Sequence, residues 1–144
     1  MWGVSWRYRI SPPFRDRPSP ESPLESNGGL ELPDSSIKAA DAAWILLERW
    51  RRLSKNERAS FAPICPDFVS ELRSAGDSMS ALRQRMALYL DNGVRLGWLI
   101  DPYARRVEIF RAGREVEVLL DPATVSGDDV LPGFVLELGP IFND

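Results

Sequence analysis

The stretch Cys65-Pro66-Asp67-Phe68-Val69-Ser70-Glu71-Leu72-Arg73-Ser74 sets two carboxylates four residues apart in a segment that otherwise reads as a buried strand. Side chains alternate between the two faces of a strand, so Asp67, Val69, Glu71 and Arg73 share one face, and Phe68, Ser70 and Leu72 share the other. Two acids and a cation on one half-buried face need a reason. A hard divalent cation such as Mg²⁺, which takes oxygen ligands, supplies one.

Composition narrows the chemistry further. The 144 residues suit one domain of ordinary globular make-up, 44% hydrophobic and 27% charged. There is no histidine, which excludes Ser-His-Asp triads, Cys-His pairs and mixed Cys/His zinc sites. The single Cys65 can form neither an internal disulfide nor a thiolate cluster. Carboxylates with a hard metal are then the leading candidates for any catalysis. A net charge of −3 neither favours nor forbids nucleic acid, since local basic patches outweigh the total. No apolar run is long enough to span a membrane and no signal-peptide core opens the chain, so the cytoplasm is the default location.

Along the chain, residues 1–29 carry five of the twelve prolines and no sustained hydrophobic period, which predicts a poorly ordered leader before a domain over 30–144. Trp2, Trp6 and Tyr8 keep open the alternative of a short aromatic strand docked on the core. Ala40, Ala43, Trp44, Leu47 and Trp50 follow a 3.6-residue period, and pattern alone makes Ile37–Leu53 an amphipathic helix. Ser54-Lys55-Asn56-Glu57 fits a capping box that opens a short helix to about Phe61. A longer helix is expected over Ser80–Asp91, capped by Asp77 or Ser78 and stopped by Gly93, with Met79, Leu82, Met86, Tyr89 and Leu90 as its apolar stripe. Val94–Ile100 reads as a central strand buried on both faces. Arg106–Arg111 and Glu115–Leu120 read as a hairpin turning at Ala112-Gly113, and Leu131-Pro132-Gly133-Phe134 as a closing turn that buries Phe134. Arg49, Arg51 and Arg52 read as a solvated helix face.

The blocks CPDFVSELRSAGDS, LRQRMALYLDNGVRLGWLIDP, VEIFRAG and DVLPGF, in that order between Leu30 and Phe142, resemble the Uma-type restriction endonucleases of the PD-(D/E)XK nuclease superfamily. The resemblance implies an α/β fold, a restriction-endonuclease-like mixed sheet flanked by helices. It also replaces the helical reading of Ile37–Leu53, because AADAAWI matches a family strand, followed by a short helix over Leu47–Leu53. It further implies an Mg²⁺-dependent DNA endonuclease. Asp41 takes the first acid position and Glu71 the second, both as catalytic and metal-binding residues, with Asp67 either a third ligand or a structural acid. The family's lysine follows the second acid by two residues or sits on the next helix. Here those places hold Arg73 and Arg85, and arginine, whose guanidinium stays protonated, can clamp phosphate but cannot act as a base. Both are therefore candidates for contact with nucleic acid, with Arg85 also in the catalytic set.

The family's N-terminal helix and the strands after it have no counterpart in the Pro-rich leader, so the domain is expected to be truncated at its N-terminus. With both lysine places changed, the expectation is a degenerate endonuclease with weak or absent cleavage. Its rival is a catalytically inactive remnant that serves as a nucleic-acid-binding or protein-interaction module, with a homodimer left open.

Overall fold

The computed structural model describes residues 2–5, 30–34, 37–38, 40–59 and 63–143. Strand β1 (Trp2–Ser5) comes first among the described residues, and β2 (Leu30–Glu31) and β3 (Ile37–Lys38) pair with each other. Next, β4 (Ala42–Ile45) runs into helix α1 (Leu47–Arg51). The helical period across Ile37–Leu53 thus yields to a strand and a helix, as the family blocks imply. All four residues of β4 are buried, and the strand is hydrogen-bonded on both edges, so tertiary pairing overrides local pattern. Helix α2 (Lys55–Arg58) has the expected capping box, with Ser54 Oγ accepting from Glu57 N and Glu57 accepting from Ser54 N. It ends at Arg58, and Phe61 lies outside the described residues.

The acidic segment forms β5 (Phe68–Leu72) and leads to α3 (Met79–Asp91), capped by Ser78 and closed by Gly93 at φ 113°. Strands β6 (Leu96–Asp101), β7 (Arg106–Arg111) and β8 (Glu117–Leu120) complete a six-stranded sheet in the order β1-β4-β5-β6-β7-β8. Among the described strands only β5 and β6 run parallel, and α3 is the crossover that such a pair requires. A small hairpin of β9 (Thr124–Ser126) and β10 (Val135–Glu137) and helix α4 (Gly139–Phe142) follow. The segment expected to be a leader therefore contributes Trp2–Ser5 as an edge strand against β4, while its residues 6–29 lie outside the described set.

The sheet divides the core in two. On one side Trp44, Phe68 and Trp98 pack beneath Phe134, Leu138 and Phe142 from the C-terminal segment. Phe68 meets Trp98 edge-on at 4.7 Å between centroids, and Phe134 stacks on Trp98 at 6.1 Å. The Leu131–Phe134 turn does bury Phe134, with Gly133 supplying φ 76°. On the other side Val69, Leu99 and Phe110 lie under Leu82, Met86 and Tyr89 of α3.

Gly97 sets how closely α3 approaches. A Cβ at this position would run into Met86 Cε and lie 3.4 Å from Val69 Cγ2, so the helix sits low over β6 because the side chain there is missing. Gly97→Val is expected to cost about 1–3 kcal/mol of stability, the range for overpacking a filled core, as read from the urea midpoint. Among the described residues no helix is long and apolar enough to cross a membrane.

Candidate active site

Asp41 precedes β4, and the antiparallel register of β4 on β5 pairs Ala42 with Ser70. One more residue of that register sets Asp41 opposite Glu71. The geometry agrees, since Asp41 Oδ2 accepts from the backbone N–H of Leu72, next to Glu71, at 2.7 Å. Two chain segments that are 30 positions apart thus place two carboxylates side by side on the face covered by α3.

Helix α3 delivers the other members. Arg85 Nη1 stands 3.5 Å from Glu71 Oε1, and one turn on, Tyr89 donates its hydroxyl to the same oxygen at 3.3 Å. The i, i+4 spacing of Arg85 and Tyr89 puts both over one acid. Glu71 is 3% exposed. Burial pushes its carboxyl up from 4.5 to about 7, and the negative charge of Asp41 adds to the rise, while Arg85 and the hydrogen bonds from Tyr89 and Arg85 oppose it. Burial, with Glu71 alongside, also raises the Tyr89 phenol, so at neutral pH it stays a donor.

The remaining residues singled out from sequence lie elsewhere. Asp67 is four residues before Glu71, about 13 Å along the strand. Its Oδ2 accepts from Leu46 N at 2.9 Å and pairs with Arg49 Nη1 at 2.9 Å, and Arg95 approaches Oδ1 at 4.0 Å. It ties the start of α1 to β5 and is not brought to Asp41 and Glu71. Among the described residues no group of three or more His, Cys, Asp or Glu could hold a metal ion, so a three-acid set including Asp67 is not formed. Arg49 departs from the reading of a solvated basic face as well. Its guanidinium turns in to Asp67 and to the carbonyl of Cys65 at 2.8 Å, leaving Arg51 and Arg52 exposed. Arg73 pairs with Asp101 at 3.0 Å rather than with Glu71. The Cys65 thiol is pushed up to about 11 by burial, which makes it a poor nucleophile at neutral pH.

Two features escaped the sequence reading. Tyr89 was read only as core, although its place four residues after Arg85 was the signal for a shared target. Glu108 is 4% exposed and lies in the same cross-sheet row as Glu71, through Glu71↔Leu99 and Leu99↔Glu108. It is held by Arg83 at 2.9 Å and Arg106 at 3.4 Å. An acid between Val107 and Ile109 in an alternating strand was its only trace.

The donor set suits a hard divalent ion. Mg²⁺ is commonly held through one or two carboxylates, completing its octahedron with water and substrate phosphate, and Asp41 with Glu71 offers those two. The raised Glu71 carboxyl fits as well, because its burial first and the charge of Asp41 second penalise a negative charge that a cation would relieve.

No curated protein matches the chain. Among solved structures it is similar to "a putative nuclease belonging to DUF820" from Anabaena variabilis ATCC 29413, at 26% identity and a TM-score of 0.62. The match covers 79% of this chain and 66% of that one, so the chain spans just under two thirds of its structural relative. A family model, Uma2, described as "Putative restriction endonuclease", matches residues 13–139. With nearly its whole length matched, and with a nuclease-like mixed sheet, the chain belongs to the Uma2 family.

Proposed function

We propose that the chain binds DNA at the α3 face of its sheet and hydrolyses phosphodiester bonds slowly, with Asp41 and Glu71 holding a divalent cation, Mg²⁺ in the first instance. The observation that carries this reading is the Asp41–Glu71 pair, whose buried Glu71 is raised to about 7 with Arg85 and Tyr89 closing on one oxygen. A buried carboxyl raised by its burial and by a second acid beside it is a pattern typical of functional sites. When bound, the cation would neutralise the phosphodiester and polarise its oxygens. Tyr89 fixes the Glu71 carboxylate from behind, and Leu72 N fixes that of Asp41. Arg85, 46% exposed, is placed to reach from Glu71 to a phosphate oxygen in a bidentate contact.

A second reading, a nuclease fold kept only as a nucleic-acid-binding module, draws on the arginines. Both places where the family has lysine hold residues already engaged with acids, Arg73 with Asp101 and Arg85 with Glu71. Calorimetric titration with Mg²⁺ followed by plasmid nicking tests the first reading. Saturable Mg²⁺ binding that Asp41→Asn removes, with slow nicking that Glu71→Ala abolishes, is the expected result. Nicking that survives Glu71→Ala would remove the proposed site.

A further inference from the structure

Past the C-terminal end of β6 lies an aromatic group that the site described so far does not use. Tyr103, in the turn between β6 and β7, is 62% exposed, unusually open for a large aromatic side chain on an ordered turn. It is nevertheless firmly held. Asp101 is 3% exposed, and its Oδ1 accepts from the backbone N–H groups of Tyr103 at 3.0 Å and Ala104 at 3.2 Å. Its other oxygen pairs with Arg73 at 3.0 Å, and Arg73 also donates to the carbonyl of Asp77 at 3.3 Å. The Arg73 guanidinium carbon in turn sits 5.7 Å from the centre of the Tyr103 ring. One buried carboxylate thus fixes both the backbone under the ring and the cation against it.

This assembly lies just past the end of β5, the strand that carries Glu71. Arg73 follows Glu71 by two residues on the same face of the chain, about 7 Å along it. With Arg73 at one side of the ring, the exposed remainder offers a π-surface to solvent next to a permanent positive charge. An exposed aromatic beside a basic group is the arrangement on which unpaired bases stack while the neighbouring phosphate meets the cation. We propose that Tyr103 is a stacking platform for an unpaired base of a DNA strand, with Arg73 beside it on the backbone. The substrate class is then DNA with a single-stranded or unpaired nucleotide next to the phosphodiester at Glu71. This rests on the nuclease-site reading above.

The test uses the full chain with Ca²⁺ and fluorescence anisotropy of three labelled probes: a short single strand, the same strand built of abasic sites, and a fully paired duplex. Tyr103→Ala should weaken the ordinary single strand about 5- to 150-fold and leave the abasic strand and duplex unchanged. Tyr103→Phe, which keeps the ring, should bind as the native chain does. Equal weakening on all probes, or none on the single strand, overturns the platform, while cation-dependent binding of the abasic strand would still uphold the acid-pair site. Failure of the native chain to bind any probe overturns both. Thermal unfolding of Tyr103→Ala at the native temperature confirms that the turn is intact, and a large drop would count against the platform as an independent feature.

Discussion

Glu71→Gln is expected to stabilise the metal-free protein at pH 8 by on the order of 3 kcal/mol, and to change little at pH 4. In the unfolded chain this carboxyl ionises near 4.5, and in the folded protein burial and the charge of Asp41 hold it to about 7. Between those values the folded state keeps a proton that the unfolded state has released, so stability falls as pH rises through the window and the full penalty stands above it. Raising a carboxyl from 4.5 to about 7, at 1.36 kcal/mol per pH unit, gives that magnitude. Glutamine has the same shape, accepts the Tyr89 hydroxyl, and carries no charge to desolvate. Arg85, 46% exposed, regains water when its partner is neutralised. Urea unfolding at several pH values measures the difference. A Glu71→Gln protein less stable than native throughout would mean that the carboxylate is a structural partner of Arg85 and Tyr89, not a charge held at a cost for function. Mg²⁺ should recover part of the same free energy in the native chain, more at pH 8 than at pH 5, because the cation is taken by the ionised form of Glu71.

That charge was legible in part. Strand alternation put Glu71 on one face with Val69, and the structure keeps that division, Val69 under α3 and Phe68 on the opposite side. The extent of burial was not legible, because it depends on how low α3 sits, and that is decided by Gly97 beneath Met86 in a segment distant in sequence. The pairing of Asp41 with Glu71 was likewise a matter of register between β4 and β5, which no local period encodes and which the family blocks alone suggested. Local pattern in fact pointed to a helix across Asp41, and had it held, the two acids would not have met.

The same limit explains Asp67 and Arg49. Spacing on a strand tells which residues share a face, and Asp67 does share one with Glu71. A strand, however, carries its residues apart at about 3.3 Å each, so four positions exceed what one ion can bridge. What claims Asp67 instead is the backbone N–H of Leu46, just before α1, together with the guanidinium of Arg49. A basic run read as solvated became an internal anchor because a buried carboxylate lay within reach, which only the fold reveals.

The strongest effect on activity is expected at Arg85. Native cleavage should be weak, and Arg85→Lys should raise Mg²⁺-dependent plasmid nicking on the order of 100-fold, the lower end of what a positioned acid–base group contributes. Arg85 Nη1 reaches Glu71 at 3.5 Å, so a cation stands at the acid pair, but a guanidinium is broad, permanently charged and unable to give or take a proton on the attacking water. A lysine ammonium is compact and adjusts its proton affinity to its surroundings. The substitution preserves charge, so affinity for DNA phosphates should change little while the rate rises, whereas Arg85→Ala should lose both. Comparing single-turnover nicking with binding by the same variants separates the two effects. Nicking absent from native and Arg85→Lys proteins alike, with DNA still bound, would favour the binding-module reading, since the acid pair would then hold nucleic acid without turning it over. An increase that disappears when Glu71→Gln is added would instead tie the recovered activity to this pair of carboxylates, and would place the loss of cleavage in a single change on α3.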